Sequence, residues 1–444
     1  MTLLNKILDF ADEYGMFPGS GLVIACVSGG ADSMCLLEAL THISRSRGFT
    51  VCAAHYNHRL RGEESMRDEE FVREYCQAND VPFYLGSGDV MAHAKQSGTG
   101  IEEAARDMRY GFFYDTAAAT GAVRIATAHT ADDNAETLLM NLARGAGANG
   151  LSGIPPKRGM VIRPMLQVSR DEILAFLGKR GVMFVEDSTN SYDICTRNKI
   201  RHVVMPVLRE INPRFNEAAA VTSELSRADE EYLSALAEEY SRLRKLDART
   251  LLELPLAISG RVIRKLCGRG ASYRHVKAVL ELCKQGSPSS KISLPGMTVY
   301  REYDKIIFAA HTAYAHDSFE PVYLKEGESA VIPGLALKIS CKIVQHDDTI
   351  NKSFTSFLFK HTDVYGKISV RPRREGDIIR FFSQNSTKSL KKLFIERRIP
   401  VRDRALIPVI ADDKGVLAVY GIGMGDRAVP EPGGLAFQVI FEEI

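Results

Sequence analysis

The chain has 444 residues, too many for one compact core, and predicts two to four domains. Its 45% hydrophobic and 25% charged residues are ordinary for a soluble globular protein, and no apolar run reaches the length of a membrane span. Eight cysteines without a C-x-x-C pair argue against a zinc ribbon or a cysteine-bound iron–sulfur cluster, and the net charge of only +2 means that charge has to be read segment by segment.

The N-terminal residues 3–10 alternate like an amphipathic helix and lack a cleavable signal pattern; with Cys26, Cys35 and Cys52 set in apolar runs, this predicts a reduced, cytoplasmic protein. From about residue 20 to 190 strand and helix alternate. Strands are expected at 22–27, 50–55, 81–85, 123–128, 161–163 and 183–185, and helices at 64–76, 101–119, 131–142 and 170–179. That alternation predicts a parallel, doubly wound α/β sheet with helices on both faces.

The first strand runs directly into Ser28-Gly29-Gly30-Ala31-Asp32-Ser33. Two glycines let the backbone approach an anion, and the helix behind them aims unpaired N–H groups and a positive dipole end at it. Ser28 and Ser33 can donate hydroxyl hydrogen bonds to phosphate, and Asp32 is a natural Mg²⁺ ligand. The turn lacks the Gly-Lys-Ser/Thr of a Walker A loop and the glycine spacing of a dinucleotide fingerprint. It resembles the PP-loop of ATP pyrophosphatases; the structural alternative is an ordinary strand–turn–helix connection.

After the second strand comes His55-Tyr56-Asn57-His58-Arg59-Leu60-Arg61-Gly62, suited to an anionic or nucleotide ligand. His55 and His58 lack a third metal ligand nearby, and a polar loop cap is the plainer reading. Arg106 and Arg109 share a helix face, although Glu102 at i−4 offers Arg106 a surface ion pair. The fourth strand feeds His129, then Asp133 and Glu136 at i, i+3 on the next helix. Such carboxylates can bind Mg²⁺, hold a cationic amine or accept a proton; N-capping by Thr130 or Asp132 explains part of the acidity equally well. An acidic loop at 186–190 precedes Arg197 and Arg201, which open a helix reaching residue 211.

A long helical stretch at 214–245 and shorter ones at 259–267 and 273–284 follow, then short strands at 291–294, 297–302 and 305–310. Beyond residue 321 the chain is strand- and turn-rich. Twelve basic residues against four acidic ones lie between Lys367 and Arg404, leaving +8 there, the footprint of a phosphate backbone or else a solvated basic face.

Taken in order, the segments 28–33, 55–62, 100–112, 126–154, 186–190, 197–201 and 371–377 resemble the tRNA(Ile)-lysidine synthetase family across nearly the whole chain. Departures are Asn134, where that family often has Gln, and the absence of a glycine-containing loop before Lys391-Lys392. The resemblance implies an N-terminal PP-loop domain of adenine nucleotide α-hydrolase-like fold (1–211), a mainly helical tRNA-binding domain with short strands at its end (212–315) and a strand-rich α+β, basic tRNA-binding domain (316–444). It implies ATP and Mg²⁺ as cofactors, tRNA(Ile) with a CAU anticodon and free L-lysine as substrates, and release of diphosphate and AMP as lysidine forms. Ser28, Gly29, Gly30, Ala31, Asp32, Ser33 and His55 would bind ATP, with Mg²⁺ on Asp32. Asp32, Arg109, His129, Asp133, Glu136 and Arg201 would form the catalytic set, with Asp133 and Glu136 on the lysine. Arg371, Arg373, Arg374, Lys388, Lys391 and Lys392 would contact tRNA. The sequence leaves the oligomeric state open, a homodimer included. A PP-loop tRNA thiolase, an ammonia-using amide ligase and a non-catalytic RNA-binding protein are the rival readings.

Overall fold

The computed structural model describes residues 2–59, 62–186, 196–243, 246–268, 270–310, 318–346, 354–381 and 387–444. It divides into two compact units, Met1–Tyr232 and Leu233–Ile444.

The first unit begins with α1 (Leu3–Glu13), β1 (Leu22–Cys26), α2 (Ala31–Arg47), β2 (Thr50–Asn57), α3 (Glu63–Ala78), β3 (Phe83–Ser87), α4 (Val90–Ser97) and α5 (Ile101–Thr120). It continues with β4 (Arg124–Ala126), α6 (Ala131–Ala143), α7 (Ala148–Leu151), β5 (Lys157–Arg158), β6 (Val161–Ile162) and α8 (Arg170–Arg180). The sheet order is β3-β2-β1-β4-β6-β5. All pairings are parallel except the β5–β6 hairpin at the edge. Side-chain alternation along β1 sends Val23 and Ala25 to a core built with α1, α2, α3 and α8, and Ile24 to a second core built with Phe113 and Ala117 of α5. The sheet is therefore covered on both faces, as parallel sheets are. The strand order reverses between β1 and β4, and ligands of such sheets bind outside the carboxyl ends of the strands at that point.

The strand expected at 183–185 does not form. Residues 182–186 run as irregular backbone, and Val185 N–H donates to Gly29 O at 2.9 Å, so this segment crosses the first turn instead of extending the sheet. The helix expected up to residue 211 is α9 (Thr196–Lys199), a π-helical turn (Ile200–Val204) and α10 (Met205–Ile211) in succession. It is followed by the 27-residue α11 (Phe215–Ser241), in which the division between the units falls.

The second unit opens with β7 (Leu246–Asp247), α12 (Ala248–Glu253), α13 (Leu256–Cys267) and α14 (Tyr273–Gln285), then the meander β8 (Lys291–Leu294), β9 (Met297–Glu302) and β10 (Lys305–Ala310). Leu251, Val262, Ile263 and Val279 of the helices share one core with Val299 and Ile306 of the sheet. Next come β11 (Val322–Leu324), β12 (Ser329–Val331), β13 (Leu337–Gln345), β14 (Ser356–Lys360), β15 (Ile368–Arg371), β16 (Ile378–Arg380) and β17 (Thr387–Ser389). The chain finishes with α15 (Leu390–Glu396), β18 (Val409–Asp412), β19 (Gly415–Val419), β20 (Gly423–Met424) and β21 (Leu435–Glu443). The antiparallel sheets β11-β15-β18-β19-β20 and β12-β13-β21-β14 enclose one core, with Val370 and Ile410 from one and Phe359 and Val439 from the other. The β16–β17 ribbon and α15 pack over a further cluster, Ile379, Leu390, Leu393 and Phe394 with Val409 and Val419.

A buried ion pair closes the turn between β15 and β16. Arg371 donates to both Asp377 oxygens, at 2.8 and 2.9 Å, and Asp377 Oδ2 also accepts from Arg374 N–H at 2.7 Å. Burial alone would raise the Asp377 carboxyl, but these donors hold it below the usual aspartate value. The contribution of the pair is therefore complete above an ordinary aspartate pKa and declines as pH falls below it. Arg371→Met should cost about 3 kcal/mol by leaving a buried carboxylate unpaired, and Arg371→Met/Asp377→Leu should recover most of it. Denaturant unfolding checks this; a single variant indistinguishable from wild type would show that the pair is not structural.

Candidate active site

The ladder of β1 continues one residue past the strand, where Val27 N–H donates to Ala54 O at 2.9 Å, and then turns at Gly29 with φ +96°, which disfavours a side chain. Gly30 is the N-cap of α2 and supplies no side chain, so the first N–H groups of that helix are left for a ligand. Ser33 Oγ ties the turn together. It accepts from Ser28 N–H at 3.1 Å, donates to Gly30 O at 2.9 Å and lies 3.2 Å from Ser28 Oγ. His55 is placed beneath this turn, 5% exposed, with Nδ1 2.9 Å from Val27 O, and burial lowers its pKa. It props the turn, whereas Tyr56 and His58 line the cavity in front of it. The period of two in β2 places 55 and 56 on opposite faces, a signal the sequence carries.

The cavity, about 500 Å³, lies at the β1–β4 switch point. Ser28, Asp32 and Ser33 form one side, Arg109 and Tyr110 of α5 another, and His129, Asp133 and Arg197 a third. Asp32 pairs with Arg170, and burial, opposed by that arginine, raises its carboxyl. Arg109 makes no hydrogen bond or ion pair with any described residue, and burial lowers its pKa. An arginine without a counterion inside a cavity favours an anionic ligand. Arg106, which Glu102 could have engaged, lies instead over the Tyr110 ring at 5.1 Å.

His129 Nδ1 is 2.9 Å from Thr127 Oγ1. Burial, then the charges of Arg163, Arg197, Arg106 and Arg109, bring its pKa down to about 3, so the imidazole is neutral at physiological pH. Arg163 was not singled out from sequence. It is 5% exposed, donates to Pro155 O at 2.7 Å and has a buried Nε without a partner.

Thr130 N-caps α6 in a capping box. Asp133 N–H donates to Thr130 Oγ1 at 3.2 Å and Thr130 N–H donates back to Asp133 Oδ2 at 2.9 Å. Asp133 thus caps α6 and keeps a second oxygen for the cavity side, where Oδ1 accepts from Arg197 Nη2 at 2.8 Å. Glu136, one turn on and 1% exposed, accepts from Arg197 Nε at 2.8 Å and from Arg201 Nε and Nη2 at 2.5 and 3.0 Å. Burial opposes the Arg201 charge, but Glu136 and Asp133 outweigh it and raise its pKa. Asp132 serves the fold, accepting from Arg170 N–H and Asn216 Nδ2, both at 2.9 Å, and from Arg209. Asn134 accepts from Ile154 N–H at 2.8 Å and so holds the 150–154 loop.

Among the described residues no group of three or more His, Cys, Asp or Glu is arranged to hold a metal ion. Mg²⁺ needs less from protein when phosphates supply its other oxygens, and the single carboxylate of Asp32 beside the PP-loop fits that role. The described cysteines are free thiols whose pKa values burial raises, Cys35 to about 12, which makes them poor nucleophiles.

In the second unit, Lys391 and Lys392 are exposed on α15, Arg374 is exposed and Arg373 half-buried in the turn, and Lys388 pairs with Glu396 at 2.7 Å. Arg371 is the buried structural arginine described above. Arg398, Arg402 and Arg404 engage Asp304, Glu302 and Tyr303 at the β9–β10 turn, at 3.3, 3.1 and 3.2 Å. The basic surface is therefore narrower than the charge count implied. Leu60, Arg61, the acidic loop at 187–190 and the segment 382–386 lie outside the described residues.

Residues 2–208 match the family model described as a PP-loop domain, and residues 368–437 match the TilS substrate C-terminal domain. Proteins described as tRNA(Ile)-lysidine synthase are similar over nearly the full length. That of Geobacillus kaustophilus is 34% identical, covering 95% of each chain, and that of Geobacter sulfurreducens 33%, covering 99% of this chain and 97% of that one. That of Caldanaerobacter subterraneus subsp. tengcongensis is 31% identical over 96% of this chain and 94% of that one. The chain, with its PP-loop at the switch point of a parallel sheet, belongs to the tRNA(Ile)-lysidine synthase family of ATP-using enzymes.

Proposed function

We propose that this enzyme uses ATP to adenylate O2 of the wobble cytidine in a CAU-anticodon tRNA(Ile) and then joins the ε-amine of free L-lysine to C2. In the first step O2 attacks the α-phosphorus, the bond to the bridging oxygen breaks and diphosphate leaves. In the second the amine nitrogen attacks C2, the C2–O2 bond breaks and AMP departs with that oxygen, leaving lysidine. The observation that carries the reading is one cavity that holds both a PP-loop and a carboxylate of the acidic pair.

The α2 N-terminus and the Ser28–Ser33 turn would hold the polyphosphate, with Arg109 as a further cation for its charge. Mg²⁺, bound at Asp32 and the phosphates, would add charge neutralisation there. Asp133 and Glu136 suit the lysine ammonium, which must lose a proton before it can attack. Neutral His129 offers Nε2 for a hydrogen bond to a nucleotide without adding charge. Described thiols with raised pKa values speak against sulfur transfer. No helix among the described residues is long and apolar enough to cross a membrane, and a cytoplasmic location follows from the proposed tRNA substrate. The exposed lysines of α15 and the 373–374 turn would grip the tRNA backbone.

Two sets of variants test this. Asp32→Ala should abolish diphosphate release, whereas Glu136→Gln should keep tRNA-dependent diphosphate release and lose lysine incorporation by about 10²-fold. Following diphosphate and labelled lysine separately checks both; equal loss of both products in both variants would contradict the division of roles. Lys391→Ala/Lys392→Ala should weaken tRNA binding and reduce the slope of log K against log salt by roughly 1.5 to 2. Filter binding between low and moderate salt would show it, and an unchanged slope would remove these lysines from the tRNA contact.

A further inference from the structure

The carboxylates assigned to the incoming amine are neutralised in the free protein by its own arginines. Arg201 grips Glu136 with two hydrogen bonds, at 2.5 and 3.0 Å, and reaches Asp133 Oδ1 more loosely at 3.4 Å. Arg197 bridges, giving one bond to each acid, 2.8 Å to Glu136 Oε2 and 2.8 Å to Asp133 Oδ1. Two carboxylates and two guanidiniums balance. A lysine ammonium added to this set would leave an uncompensated positive charge beside a glutamate that is 1% exposed, which is costly. One guanidinium therefore has to give way as the amine enters.

The geometry singles out Arg197. Ile200, next to Arg201 in the π-helical turn, is anchored in a cluster with Ala135 of α6, Met205 and Ala219. Arg197 sits ahead of that anchor, on the four-residue α9, and holds Glu136 by one hydrogen bond where Arg201 holds it by two. It lines the same cavity as Ser28, Asp32 and Ser33. A guanidinium released from Asp133 and Glu136 thus has phosphate oxygens within the same cavity as alternative partners, and arginine pairs with phosphate as well as with carboxylate.

We propose that Arg197 is a shared cation that couples the two small-substrate sites: without nucleotide it fills the amine site on Asp133 and Glu136, and bound ATP draws it to the phosphates and opens that site to lysine. The proposal rests on the reading of Asp133 and Glu136 as the amine site. It makes Arg197 a positioning residue that imposes an order, nucleotide before amine, so that the amine is seated only when an adenylating agent is present. By linkage, lysine must tighten nucleotide binding by the same factor as nucleotide tightens lysine.

Equilibrium dialysis of radiolabelled lysine against the full-length protein, with and without α,β-methylene-ATP, tests the coupling. The analogue should tighten lysine binding to wild type by about tenfold. Arg197→Gln should bind lysine without the analogue as tightly as wild type does with it, and the analogue should then change its affinity by less than about twofold. Arg197→Lys, which keeps the charge but lacks the planar guanidinium fork, should fall between them and serves if the glutamine variant does not fold. Equal wild-type affinities in the two conditions, or undiminished coupling in both Arg197 variants, would overturn the proposal. Glu136→Gln separates the two layers. If it binds lysine like wild type, the amine-site reading fails; if it loses lysine while wild type shows no coupling, only the role of Arg197 fails.

Discussion

Glu136 is a carboxylate almost wholly removed from water, and the active-site side of the first unit is organised around keeping it paired. An isolated buried carboxylate would cost several kcal/mol, so the guanidiniums of Arg197 and Arg201 are required by electrostatics wherever α6 places its acids. This is why the rod of α9, the π-helical turn and α10 is held against α6, with Ile200, Ala135, Met205 and Ala219 as the apolar part of the joint. Asp133 and Arg197 of this cluster line a cavity whose other walls carry the PP-loop and Arg109.

That cavity follows from topology. β1 and β4 are adjacent and parallel, and each is followed by a helix, so the first turns of α2 and α6 line one cavity. One terminus carries bare backbone N–H groups behind glycines; the other carries a capping box whose Asp133 still has an oxygen to offer. A helix N-terminus suited to an anion and a carboxylate suited to a cation are thus set side by side by a single strand pair. Adenylation followed by attack of an amine needs that juxtaposition.

Much of this was legible in the chain. The PP-loop showed because glycines and hydroxyls directly after an apolar run have a local meaning, and Asp133 with Glu136 showed because i, i+3 spacing fixes a shared face. What the sequence left open depends on long-range partners. Arg371 reads like any other member of a basic run, and only its pairing with Asp377 shows that it is spent on the fold. Arg398, Arg402 and Arg404 are likewise committed to the acidic β9–β10 turn. The strand expected at 183–185 has the right residues, but its Val185 N–H is used by Gly29 O, and no periodicity reports a partner 156 positions away. The resemblance implies His55 among the ATP ligands, whereas its side chain is turned to Val27 O and its neighbour Tyr56 lines the cavity.

The central claim is that one cavity passes a nucleotide activated by ATP to a lysine amine. Its most direct measurement is incorporation of radiolabelled lysine into CAU-anticodon tRNA(Ile) by the purified protein, with AMP counted in the same reaction. Label is expected in the tRNA only when ATP and that tRNA are both present, in amounts equal to the AMP formed. Formation of AMP with no lysine in the tRNA would contradict it, leaving the PP-loop in place and assigning the acidic pair to another acceptor.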